Sequence, residues 1–174
     1  MKKFHKNSNV PFKRGNYMFE IVTSSAEDTR KVGYKLGSIL KGGDIVCLSG
    51  DLGTGKTVFT GGIAQALGIQ GYVTSPTFCI VNEYQGKIPL YHFDVYRMES
   101  SDEMFEIGFS DYLESNGIII IEWPERISDI IPKEHIWVSL EKVGADEPDK
   151  RIIKLDFRGN KYIGGKEEFE SISS

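Results

Sequence analysis

The residues with the clearest chemical meaning are Gly50-Asp51-Leu52-Gly53-Thr54-Gly55-Lys56-Thr57, which fit the phosphate-binding loop pattern G-x-x-x-x-G-K-[ST]. Gly50, Gly53 and Gly55 allow backbone angles that a side chain would forbid. The amides freed by such turns form a concave nest for phosphate oxygens. Leu52, Gly53, Thr54, Gly55, Lys56 and Thr57 are therefore the expected phosphate-binding set. Lys56 is expected to reach the β- and γ-phosphates of a nucleoside triphosphate, and the Thr57 hydroxyl to sit on Mg²⁺. A helix beginning near Lys56 would add its positive dipole end. The competing reading is a glycine-rich turn that binds nothing. The frame argues against it: residues 44–49 read as a buried apolar strand, and residues 58–67 as a helix closed by Gly68.

Phosphoryl transfer also needs an acid near the magnesium, at the end of a buried strand beside the loop. Two candidates compete. Glu122 follows a run of isoleucines at 118–121, which places it at a strand end, where ligand sites of α/β sheets lie. Asp94 follows the less apolar Leu90-Tyr91-His92-Phe93. Which of them activates an attacking water stays open at this point. Thr77, in Ser75-Pro76-Thr77, lies on a loop after the loop-bearing helix, the place from which switch segments reach a γ-phosphate. Arg97 and Arg126 fit either phosphate contacts or surface ion pairs. Trp123 reads as core packing and His92 as a hydrogen-bonded structural histidine. No Asn-Lys-x-Asp guanine-reading pattern occurs at the expected place, which favours ATP over GTP.

The elements that must position these groups follow from pattern. Residues 19–23 read as a strand. Ser24 or Ser25 caps a helix with Glu27 and Asp28 as capping-box acids, and Val32, Leu36, Ile39 and Leu40 give it one apolar face. Residues 78–84 and 88–96 form an expected hairpin, with Pro89 near the start of its second strand. Short helices are expected from 101 and over 110–115, and the strand at 118–121 is expected to be central and buried on both faces. Residues 135–141 and 151–157 form a second expected hairpin. The fold class is α/β: a three-layer phosphate-loop nucleoside triphosphate hydrolase fold. Its sheet is mixed, parallel around the loop strand and residues 118–121, with antiparallel hairpins. The expected organisation is a flexible basic extension at 1–17, a domain at 18–158, and a polar, frayed tail at 159–174.

Composition sets outer bounds. A chain of 174 residues, 40% hydrophobic and 26% charged, is long enough for one domain with a sizeable core. No apolar run reaches the length of a membrane span, and the basic start is not followed by the apolar segment of a secretory signal. A cytoplasmic protein without membrane contact is expected. Cys47 and Cys79 both fall in expected strands and read as small core residues. Of the 21 basic residues, Lys2, Lys3, Lys6, Lys13 and Arg14 lie in the first 17, where none of the 25 acids falls. The acidic body is a poor independent grip on nucleic acid.

Taken together, these motifs resemble the TsaE (YjeE-type) ATPases, which take part in making threonylcarbamoyladenosine in bacterial tRNA. The resemblance covers about residues 24–157. It rests on the glycine loop, Ser75-Pro76-Thr77-Phe78, His92-Phe93-Asp94-Val95-Tyr96-Arg97, Ile121-Glu122-Trp123-Pro124-Glu125 and Ser25-Ala26-Glu27-Asp28-Thr29, in that family's order and spacing. It implies ATP and Mg²⁺ as cofactors, Thr57 and Glu122 as magnesium ligands, and Asp94 as a carboxylate needed for turnover. Thr77 is implied as a switch residue. The implied partners are the threonylcarbamoyl transferase subunit and its companion subunit (TsaD-like and TsaB-like), with tRNA met only through them. ATP hydrolysis would reset that assembly between rounds. One departure is Val58, where the family often has a second threonine. The alternatives are a small-molecule kinase, and a nucleotide-gated binding module with negligible turnover.

Overall fold

A computed structural model describes residues 16–76 and 79–173, with the side chains of 16–18 left aside. Thr77, and residues 1–15 of the expected extension, lie outside the described residues. The elements run β1 (Asn16–Thr23), α1 (Ala26–Ile39), β2 (Ile45–Ser49), α2 (Lys56–Ala66), β3 (Val81–Tyr84) and β4 (Leu90–Asp94). They continue with α3 (Asp102–Glu106), α4 (Phe109–Glu114), β5 (Ile118–Glu122), a 3-10 turn (Pro124–Ile127), β6 (His135–Lys142), β7 (Arg151–Arg158), a second 3-10 turn (Asn160–Tyr162) and α5 (Ile163–Ser173). The strands form one seven-stranded sheet in the order β1-β7-β6-β2-β5-β4-β3. β2 pairs in parallel with β5 and β6, and β5 with β4, while β3–β4, β6–β7 and β1–β7 are antiparallel. This is the expected mixed sheet, parallel at the loop strand and antiparallel at the two hairpins.

Period-two alternation splits the central strands between two cores. Val46 and Leu48 of β2, with Ile118 and Ile120 of β5, pack with residues of α1, α2 and α5. Ile45, Cys47, Ile119 and Ile121 pack on the other face with Met104 of α3 and Phe109 of α4. That double burial is why β5 reads as an unbroken apolar run rather than an alternating one. The same parity decides where the acids go. Glu122 shares the face of Ile118 and Ile120, and Asp94 and His92 share the face of Leu90, which packs in the α1/α2 core. All three polar residues therefore sit on the side of the sheet that α2 covers.

Ser25 caps α1, accepting from the amide of Asp28 at 3.0 Å, while Asp28 accepts from the amide of Ser24 at 3.3 Å. α1 then crosses α2 at very short range. A Cβ on Gly33 would collide with the backbone oxygen of Phe59, and one on Gly62 with that of Arg30. The crossing carries the start of α1 to the glycine loop: Thr29 Cγ2 lies 3.7 Å from where Gly55 would carry a Cβ.

Three expectations need correction. β1 begins at Asn16, inside the expected extension. Cys79 is exposed and precedes β3, which starts only at Val81. The expected frayed tail is ordered: α5 lays Phe169, fully buried, against Phe19 at 5.3 Å and Phe157 at 5.9 Å. Glycines and serines mask the helix in composition, but one buried aromatic ring supplies the packing energy that propensity does not. Phe169→Ala should therefore cost about 3–5 kcal/mol of stability in urea unfolding at 25 °C. A loss under about 0.5 kcal/mol, the usual size for an exposed site, would show that α5 is peripheral after all.

Candidate nucleotide-binding site

The glycine loop leaves β2 at Ser49 and enters α2 at Lys56. Gly50, Gly53 and Gly55 have φ of 145°, 74° and 105°, a region that side chains rarely adopt. Gly50 is also crowded: a Cβ there would lie 2.5 Å from the Leu140 carbonyl oxygen and 2.9 Å from Thr54 Oγ1. Gly55 is the cap residue of α2 and offers its first amides no side-chain acceptor, so they remain donors at a positive helix end. Thr54 is buried and donates its hydroxyl to the Asp51 carbonyl at 2.9 Å. The Leu52 side chain is 86% exposed, so Leu52 offers the site its backbone.

The loop is also held from outside. Arg151, at the start of β7, donates from Nε to the Thr54 carbonyl at 3.0 Å and from Nη2 to that of Gly53 at 3.5 Å. The same guanidinium donates to the carbonyls of Pro148 and Lys150. Arg151 thus pins the loop to the β6–β7 hairpin. Nothing local in the sequence points to this contact, because the two partners lie 97 residues apart and meet only in the fold.

Lys56 is 5% exposed. Its Nζ donates to the carbonyls of Gly50 at 2.6 Å and Asp51 at 3.2 Å, and lies 4.1 Å from the centre of the Trp123 ring. Burial pushes its pKa down, and Glu122, Asp94, Glu125 and Asp51 push it back up. A cation on an indole face is a favourable contact that strengthens with desolvation. Trp123 is therefore more than core packing. Its backbone sits at φ 62°, ψ 44°, a rare conformation for a bulky residue, and its ring lies 4.8 Å from that of Tyr96 at a tilt of 50°.

Glu122 and Asp94 face each other in register across the parallel β5–β4 pair. Glu122 is 3% exposed, with Oε1 2.9 Å from Nε2 of the fully buried His92. Asp94 accepts from Ser75 Oγ at 2.8 Å and from the Tyr96 amide at 3.0 Å. The structure thus brings Lys56, Asp94 and Glu122 together, and ties the segment leading to Thr77 to Asp94. Arg126 is turned to the Met98 carbonyl, 3.3 Å away, and to the Tyr96 ring. Arg97 lines a small cavity beside Asp94 with Pro76 and Tyr96.

The donor set suits magnesium. Among the described residues no cluster of three or more His, Cys, Asp or Glu could hold a metal by itself. Mg²⁺ is typically held by one or two protein oxygens together with phosphates and water. The half-buried Thr57 hydroxyl and the Glu122 carboxylate are oxygen donors of that kind.

The thiols test the burial beneath this site. Burial pushes the Cys47 thiol up to about 12, whereas Cys79 is exposed beyond Pro76. At pH 8 the buried thiol holds almost no thiolate, the reactive form. A disulfide reagent should titrate one thiol quickly in the folded protein and the second only after unfolding. Two fast thiols would contradict the placement of β2.

Comparison with known proteins agrees with this fold. A protein of Bacillus subtilis (strain 168), described as tRNA threonylcarbamoyladenosine biosynthesis protein TsaE, is 41% identical over 141 residues, covering 80% of this chain and 86% of that protein. A protein of the same description from Treponema pallidum is 42% identical over 119 residues, covering 68% and 88%. The crystal structure of Bacillus subtilis YdiB superposes with a TM-score of 0.79 at 32% identity, over 93% of this chain and 100% of that one. The family described as threonylcarbamoyl adenosine biosynthesis protein TsaE matches residues 23–153. That span runs from the end of β1 into β7 and takes in the glycine loop, Asp94 and Glu122, and the chain belongs to the TsaE family.

Proposed function

We propose that the chain is a Mg²⁺-dependent ATPase serving tRNA N6-threonylcarbamoyladenosine biosynthesis, and that hydrolysis resets a threonylcarbamoyl transferase complex between rounds. The observation that carries the reading is the buried Lys56 ammonium, set in a glycine loop with Glu122 and Asp94 on the same face of the sheet. The amides from Leu52 to Thr57 and the Lys56 ammonium would bind the β- and γ-phosphates. Thr57 and Glu122 would hold Mg²⁺, which neutralises developing charge on the phosphates when bound. Asp94, fixed by Ser75 and the Tyr96 amide, would orient the attacking water and accept its proton. Arg126 and Arg151 are engaged with backbone carbonyls, which favours a stabilising cation supplied by a partner. The partners in this reading are the transferase subunit and its companion, TsaD-like and TsaB-like, with tRNA reached through them. The matched relatives carry the pathway in their names.

The test is phosphate release from ATP by the full chain, with and without Mg²⁺ and the two purified transferase subunits. Slow release by the chain alone, faster with the subunits, is expected. Lys56→Ala should lower the stimulated rate by about 10²–10³, the size seen when one donor to a developing oxyanion is lost. Fast turnover by the isolated chain that the subunits leave unchanged would reject the partner-gated reading. Phosphate appearing on a metabolite instead would make the chain a kinase.

Arg151→Ala should leave the melting temperature nearly unchanged while weakening binding of a fluorescent ADP analogue several-fold, because the loop loses its outer tether. Unchanged binding would show that the loop keeps its shape by its own turns.

A further inference from the structure

Building on the ATPase reading, we propose that His92 is a positioning residue for the Glu122 carboxylate. His92 lies in mid-β4 with no exposed surface, its register partner on β5 is Ile120, and Leu90 on its own face belongs to the α1/α2 core. Its Nε2 is 2.9 Å from Glu122 Oε1, and both side chains are almost wholly out of solvent. A carboxylate only accepts, so Nε2 carries the proton and donates. Among the described residues, Nδ1 has no hydrogen-bond partner. An imidazole with one orphaned nitrogen in an apolar strand is a costly choice, since an apolar side chain of similar size would leave nothing unsatisfied there. The contact that offsets this cost is the bond to Glu122. It pins one carboxylate oxygen to β4, and so fixes how the group is presented at the strand end next to the glycine loop. Hydrogen-bond partners behind a metal-binding group commonly set its affinity by orienting it.

The experiment measures binding of a fluorescent ADP analogue to the full chain across a magnesium titration and in EDTA, with no turnover step. His92→Phe should raise the magnesium concentration needed for half-maximal tightening by about 10- to 100-fold, while binding in EDTA stays at the wild-type level. His92→Gln, whose side-chain amide can place a donor near the position of Nε2, should recover most of that loss. His92→Asn, whose shorter amide falls short, should not. In a Glu122→Gln background, His92→Phe should add little, because the two changes remove one interaction. Circular dichroism and melting curves accompany each variant. If His92→Phe does not fold, the Gln and Asn pair carries the test, and equal magnesium dependence in those two overturns the proposal. Wild-type magnesium dependence in a folded His92→Phe protein overturns it as well. If the wild-type chain itself binds the analogue equally with and without magnesium, the magnesium site fails and the role of His92 fails with it. The wild-type titration thus separates the two failures.

Discussion

A lysine at 5% exposure must have its charge answered, because an isolated ammonium in the interior is untenable. Much of the site can be understood as the answer to Lys56. The carbonyls of Gly50 and Asp51 fold back over its ammonium, and the Trp123 face closes it from another side. Glu122 and Asp94 supply negative charge from two neighbouring strand ends. The arrangement concentrates a cation and its counter-charges where a glycine-rich turn meets a helix N-terminus. In the proposed ATPase reading, such a place would exchange the carbonyl partners of Lys56 for phosphate oxygens with little rearrangement of the backbone.

Two packing constraints hold that arrangement in place. Along β4 and β5, alternation puts His92, Asp94 and Glu122 on the face that α2 covers, so a one-residue slip of register would send every one of them to the other core. Against α2, Gly33 and Gly62 let the α1 backbone approach closely enough that Thr29, in its first turn, borders the loop. The β6–β7 hairpin completes the enclosure through Arg151. The first helix and the far hairpin therefore both border the loop.

Much of this was legible from residues alone, for physical reasons. The glycine loop announces itself because its conformation admits few residue types, and β5 because burial on both faces demands an unbroken apolar run. The strand-end positions of Glu122 and Asp94 were legible because each follows a strand-like run. Long-range features left no such trace. Arg151 acts on a loop 97 residues earlier. Trp123 matters because a left-handed backbone turns it toward Lys56, which its surroundings in sequence do not encode. α5 was hidden by Gly164, Gly165 and its serines, since its stability comes from Phe169 rather than from helix propensity. Cys79 fell outside its expected strand because the chain takes a left-handed step at Ile80, φ 28°, before β3 begins. His92 was read correctly as hydrogen-bonded, but its partner could be named only once β4 and β5 were seen side by side.

The hydrogen bond between Ser75 and Asp94 joins a loop to the end of a core strand. Ser75 stands beside Pro76, whose fixed φ makes the adjoining backbone stiff, so displacement of one residue is passed to the next. A surface that grips this segment and draws it outward takes a donor from the carboxylate. Conversely, a water that donates to Asp94 competes with Ser75 and relaxes the segment's hold on the sheet. Linkage requires the two effects to be equal in free energy. The loop and the carboxylate thus share one bond, so that whatever moves the segment at Ser75 is felt at the end of β4 and whatever claims Asp94 is felt in the segment.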